Sequence, residues 1–170
     1  MAHEALEEGS EFLLDWQKLK KVALCESPVV PVAVQHADTL ELLIVAFANE
    51  QALLETFRRK VCVLWSTSRN KLWIKGETSG DVLDLVEIRV NCEQNSLLYL
   101  VRPHRTGACH TKDAEGHSRP SCYYRRLKWP EEGIPDGDLS EMLKRSSLEH
   151  LAAPHEPPGP HSTSDCVRGE

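Results

Sequence analysis

The sequence predicts a strand-dominated α+β fold with a mostly antiparallel sheet. Three observations carry that expectation: a series of short apolar, partly β-branched runs, the turn-rich segments between them, and few stretches with helical spacing. At 170 residues the chain is long enough for one domain with a real core. Ser10 followed by Phe12, Leu13, Trp16 and Leu19 predicts a short amphipathic helix with Ser10 as its cap, inside an N-terminal extension over 1–21. Runs at 29–34 and 40–47 read as two strands around a turn at 35–39. Asn49 then reads as the cap of a second helix, with Ala52, Leu53 and Phe57 as its apolar stripe. Further strands are expected at 61–66, 72–75, 82–90, 97–102 and 123–127, which closes the main domain over 22–129. Prolines at 130, 135, 154, 157, 158 and 160 interrupt any sheet beyond it, leaving at most a short helix near 139–151 in a Pro-rich tail over 130–170. Composition predicts disorder after about residue 152.

Charge and targeting signals narrow the function classes. The net charge of −6 argues against nonspecific nucleic-acid binding, which needs clustered Lys and Arg, but leaves room for a basic pocket for one phosphate. Glutamates occupy the place where a secretory signal would carry its apolar core, and no apolar run approaches a membrane span, so a cytosolic protein is expected. Six cysteines in a reducing compartment then point to metal binding or plain burial. Cys25 and Cys62 sit among apolar neighbours and read as core or near-core thiols, whereas Cys166 lies in the tail.

Three stretches carry chemistry. In the first, 86–95, an extended chain would put Val86, Ile88, Val90 and Cys92 on one face and Glu87, Arg89, Asn91, Glu93 and Asn95 on the other. A thiolate suits zinc and the oxygens suit magnesium; an ordinary amphipathic strand is the alternative. The second holds Cys109-His110 and Cys122, giving C-x16-C-H-x11-C with Cys92. That pattern lacks the short knuckles of a zinc finger, yet three protein ligands would leave a catalytic zinc its fourth position for water. His110 could move protons there, or be an exposed loop residue. The third, 65–80, concentrates hydroxyls, cations, indoles and glycines. Arg69 and Lys75 can neutralise a phosphate, hydroxyls and glycine amides can surround it, and a Trp can stack on a purine. A polar hairpin with core tryptophans is the other reading, and it suits Trp65.

Together these stretches resemble the phosphoribosyl-AMP cyclohydrolase family. Ser66 to Gly80, S-T-S-R-N-K-L-W-I-K-G-E-T-S-G, is similar to that family's S-R-S-R-x-x-L-W-x-K-G-E-x-S-G signature, and A-C-H-T and S-C-Y-Y-R resemble its later cysteine motifs. The resemblance covers about residues 29–127. It implies hydrolysis of the N1–C6 bond of phosphoribosyl-AMP in histidine biosynthesis, with zinc on Cys92, Cys109 and Cys122 across an intertwined homodimer, and His110 as proton carrier. It also implies substrate contacts from Ser66, Ser68, Arg69, Trp73, Lys75, Gly76, Glu77, Thr78, Ser79 and Gly80. Where the family has D-C-D-x-D for magnesium, this chain has Asn91-Cys92-Glu93-Gln94-Asn95, so a magnesium ion should bind less tightly. Gln35-His36 replaces the usual Q-D, Thr67 replaces an Arg, and the segment 112–119 is an insertion.

Two other functions compete with catalysis. One is a zinc-stabilised homodimer whose altered motif has ended turnover. The other is a zinc base deaminase, disfavoured because the chain has neither H-x-E nor P-C-x-x-C.

Overall fold

A computed structural model describes residues 7–12, 14–105, 107–128, 130 and 143–151. The centre is a four-stranded sheet in the order β2-β1-β6-β5. Strand β1 (Val30–His36) runs antiparallel to β2 (Leu42–Ala48), and β5 (Leu83–Val90) antiparallel to β6 (Leu97–Pro103). The β1–β6 pair is parallel, so everything between them is a long crossover. That crossover contains helix α2 (Glu50–Arg59) and the hairpin β3 (Val63–Ser66) with β4 (Lys71–Ile74). The expected strands from 29 to 127 are all present, with ends shifted by one or two residues.

Alternation explains which side chains are inside. Val32 and Val34 of β1 are fully buried, two residues apart, as a half-buried strand requires. In β2 the pairing passes from Val34–Ile44 to Gln35–Leu42, so Leu43 is the extra residue of a bulge and the buried phase changes to Ala46 and Ala48 beyond it. Tyr99, Val101, Leu83, Cys62, Val63, Leu64 and Ala52 complete this core, which includes Ala108 from the cysteine loop. Burying Cys62 pushes its thiol up to about 12, which makes it an inert core side chain. Cys25 is half-buried, its Sγ 3.5 Å from Asn70 Oδ1, and Cys166 lies outside the described residues.

Asn49 caps α2, its Oδ1 accepting from the Ala52 amide at 2.8 Å. The apolar stripe differs from expectation. Ala52 is buried and Leu53 packs on the core, but Phe57 is 50% exposed and Thr56 takes the inward position. Thr56 Oγ1 satisfies itself there, donating to the Ala52 carbonyl at 2.8 Å and accepting from the Val63 amide at 3.2 Å.

Two expectations outside the sheet are corrected. The helix of this region, α1, spans Lys18–Ala23, not a stretch beginning at Ser10, and it buries no residue; Trp16 and Leu19 are more than 70% exposed. Leu13 lies outside the described residues. Ser10 and Glu11 instead add to a second small sheet, because the Ser10 carbonyl accepts from the Leu148 amide and Glu11 bridges Ser147. That sheet pairs β7 (Arg125–Lys128) with β8 (Ser147–His150), where a helix was expected. Alternating Leu127–Leu148 pairing favours a strand there, and the tail beyond residue 151 lies outside the described residues.

Candidate metal and nucleotide site

The β3–β4 turn and the loop after β4 present the hydroxyl- and cation-rich stretch. Ser66 is buried at the end of β3, and its Oγ lies 3.5 Å from Ser68 Oγ and accepts from Arg69 Nε at 3.1 Å. Trp73 is half-buried against the core, and so is Trp65, whose expected core position holds. Lys75 is only 5% exposed, with Nζ 5.9 Å from the Trp73 ring centre. Its ammonium is near enough to Cys62 and Cys122 to oppose the rise that burial imposes on both thiols. Glu77, Thr78 and Ser79 are exposed at the tip of the loop. Gly76 has φ +84°, and a Cβ there would fall 2.0 Å from the Asp81 carbonyl oxygen, so the loop can close only with glycine. Closure brings Asp81, buried, to 2.9 Å from Ser118 Oγ, which joins this loop to the cysteine loop.

The cysteine loop is a tight hairpin. Ala108 and Cys109 donate to the carbonyls of Pro120 and Arg119, Arg119 donates to that of Thr111, and Lys112 bridges Ser118. The expected insertion, 112–119, is therefore the outer half of this hairpin. Its turn is held by Asp113 Oδ1, which accepts from the amides of Glu115 and His117, with Gly116 at φ +83°. At the base, Cys109 is 2% exposed and its Sγ lies 3.1 Å from Thr111 Oγ1. Cys122 is fixed by its amide, which donates to the Leu43 carbonyl at 2.8 Å, while Ser121 Oγ donates to the Leu42 carbonyl. The two thiols are neighbours. The Cys122 thiol, with Thr111, pulls Cys109 down to about 5 against its burial, and the Cys109 thiol with burial pushes Cys122 up. Adjacent cysteine sulfurs are a donor set for a soft cation, so the residues present fit two positions of a zinc site.

Cys92 does not join them within this chain. It is exposed in the turn after β5, and among the described residues no cluster of three His, Cys, Asp or Glu side chains could hold a metal. The expected two-faced strand end is also absent. β5 stops at Val90, a bulge at Leu85/Glu87 has already shifted its phase, and Gln94 at φ +54° turns the chain. In that turn Asn91 Oδ1 accepts from the amides of Asn95 and Ser96, both at 3.0 Å. Asn91 Nδ2 donates to Asn95 Oδ1 at 2.8 Å, and Asn95 Nδ2 donates to Glu93 Oε2 at 2.9 Å. These bonds link the three side chains, and with one carboxylate among them a magnesium ion has less negative charge to attract it than the family's motif offers.

His110 projects outward, its side chain 73% exposed, with Nε2 2.7 Å from Glu7 Oε1. Beside it Tyr124 is covered by two guanidinium groups, Arg119 at 4.3 Å and Arg125 at 5.2 Å from its ring centre. An open cavity of about 400 Å³ lies between the N-terminal segment and this region, with Glu11, Phe12, Cys122, Tyr123, Arg125 and Leu148 in its wall.

The model of the phosphoribosyl-AMP cyclohydrolase family matches residues 44–124, which contain the hydroxyl-rich loop and all three motif cysteines. A protein of that name from Archaeoglobus fulgidus is 45% identical over 106 residues, spanning 62% of this chain and 92% of its own length. This chain belongs to the phosphoribosyl-AMP cyclohydrolase family. Similar cyclohydrolases include that of Roseobacter denitrificans, 37% identical over 73% of this chain and 86% of the relative. The Caulobacter vibrioides cyclohydrolase is 46% identical over 59% of this chain and 68% of its own. Among the described residues no helix is long and apolar enough to cross a membrane.

Within this cyclohydrolase chain, several residues around the site escaped the sequence reading. Thr111 touches the Cys109 sulfur, Asp81 and Ser118 tie the two loops together, and Arg105 lies beneath Gly80. A hydroxyl two positions after a cysteine was the signal available for Thr111. Glu7 and Arg119 had none, because their partners lie more than a hundred residues away.

Proposed function

We propose that this chain opens the adenine ring of 1-(5-phosphoribosyl)-AMP at the N1–C6 bond, giving the formimino-aminoimidazole carboxamide ribonucleotide of L-histidine biosynthesis, and that it does so in the cytosol with zinc. The observation that supports it most is the pairing of buried Cys109 with half-buried Cys122 beside the Lys75 cation, in a chain whose relatives carry the cyclohydrolase name. Cys109 and Cys122 would hold the zinc, and Cys92 of a second copy in a homodimer would be its third ligand. When bound, zinc supplies the Lewis acidity that makes water a nucleophile near neutral pH. Lys75 offsets the negative charge of the thiolates, which leaves Arg69 as the exposed cation for the substrate phosphate. Ser66, Ser68, Thr78 and Ser79 offer hydroxyls, and the loop from Gly76 through Glu77 to Gly80 offers backbone amides. Trp73 supplies apolar wall. Water adds at C6, N1 leaves C6, and His110 carries the proton from the attacking oxygen to N1. No step is assigned to magnesium, because the 91–96 turn is satisfied without it.

That same turn favours a second reading, a zinc-stabilised homodimer without turnover. One assay separates them: absorbance change on phosphoribosyl-AMP while zinc, then magnesium, is titrated into metal-free protein. Turnover should follow zinc. Mixing Cys92→Ser and Cys109→Ser chains in equal amounts should regain about a quarter of the activity, since about half of the reassorted dimers are mixed and each of those keeps one of its two shared centres intact. Stoichiometric zinc without ring opening would leave the scaffold standing.

A further inference from the structure

Residues 7–11 are held by contacts at nearly every position. The Glu7 carbonyl accepts from Tyr124 Oη at 2.6 Å, and the Glu8 carboxylate accepts both arms of the Arg119 fork at 2.6 and 3.0 Å. The Gly9 carbonyl accepts from Arg125 Nη1 at 3.0 Å, and that of Ser10 from the Leu148 amide at 2.8 Å. Each residue from Glu7 to Ser10 is thus tied to the cysteine hairpin, to the strand that follows it, or to β8. Arg119 is only 12% exposed, so its fork is one of the stronger of these ties. All of these strap residues, and β8, lie outside the 44–124 span that the family model matches.

The consequence falls on His110. An exposed carboxylate–imidazole contact orders little by itself, because two mobile side chains must be held in one geometry. Here the backbone on both sides of the contact is fixed, so the Glu7 carboxylate arrives at a set position 2.7 Å from Nε2. A carboxylate accepts, so Nε2 is the donor in this contact. We infer that Glu7 is a positioning residue: the N-terminal strap uses its carboxylate to hold the His110 ring in one orientation and one tautomer beside the Cys109–Cys122 centre. The idea rests on the cyclohydrolase reading for its effect on turnover, but not for its effect on the ring.

The test compares Glu7→Ala and Glu7→Gln in the full-length, zinc-loaded protein. Gln keeps an acceptor oxygen at the same reach, whereas Ala removes it. Nitrogen-15 NMR of the histidine rings, with the His110 signals assigned by their loss in His110→Asn, should show a single Nε2–H form in the unmodified chain and in Glu7→Gln. Mixed tautomers are expected in Glu7→Ala. Turnover should fall about 10-fold in kcat for Glu7→Ala, with KM unchanged and most of the loss recovered in Glu7→Gln. Equal ring spectra in all three proteins would overturn the inference, as would a parallel loss of kcat and melting temperature in both variants. If the unmodified chain opens no ring, the cyclohydrolase reading fails while the spectra still decide the role of Glu7.

Discussion

The cysteine hairpin 107–122 and the turn 91–96 are the two places where the motifs put metal ligands, and their local structures are opposite. In the hairpin the candidate donors are inside, with Cys109 2% exposed and the hydrogen-bonding capacity of its surroundings directed at sulfur. In the turn the candidate donors face water and spend their polar atoms on one another. The two neighbouring thiols still have sulfur lone pairs to offer a soft cation, whereas the two amides and one carboxylate of the turn are already linked to one another. The difference teaches that a metal motif is read from what its donors leave unsatisfied, not from the presence of oxygen or sulfur at the right spacing.

The sharpest way to break the comparison is Cys109→Ser. A neutral hydroxyl is a poor ligand for a soft cation, so zinc stoichiometry and turnover should both be lost, measured by elemental analysis and by the ring-opening assay. Retained stoichiometric zinc would move the centre elsewhere. A smaller effect is expected from Ser118→Ala, which removes the hydroxyl that donates to buried Asp81 at 2.9 Å. The carboxylate loses its side-chain donor, which should cost about 1–2 kcal/mol of stability in urea unfolding. Zinc should stay bound, because the Cys109–Thr111 and Cys122–Leu43 contacts are untouched.

Much of the fold was legible because its signals are local. The strands follow apolar alternation over a few residues, and Asn49 caps α2 through an amide three residues on. The misreadings share one cause, which is competition from distant partners. Ser10 carries a cap signature, yet its carbonyl is taken by Leu148, and the segment joins a sheet. Phe57 fits the helical stripe, but the inward slot goes to Thr56 because Val63 offers its hydroxyl a partner. At the site, Cys109, Cys122 and Lys75 were legible as residue types in motifs. Their convergence was not, since it depends on the Asp81–Ser118 tie and on Gly76 allowing the chain to turn back. Cys92 shows the remaining limit: motif order cannot say whether a third ligand comes from the same chain.

The finest test addresses the turn. Replacing Asn91 and Asn95 together by Asp restores the family's carboxylates beside Glu93, and it removes both amide donors that link the three side chains. Without a divalent cation, three neighbouring carboxylates repel one another, and the exposed site should lose about 1 kcal/mol of stability. Magnesium should then raise the melting temperature of the double variant in a concentration-dependent way, because a ligand that binds only the folded form stabilises it by mass action. The unmodified chain should show no such rise, and zinc content should be equal in both. A magnesium-dependent shift of the same size in the unmodified chain would mean that these links give way readily to the ion, and the contrast between the two sites would then be one of degree.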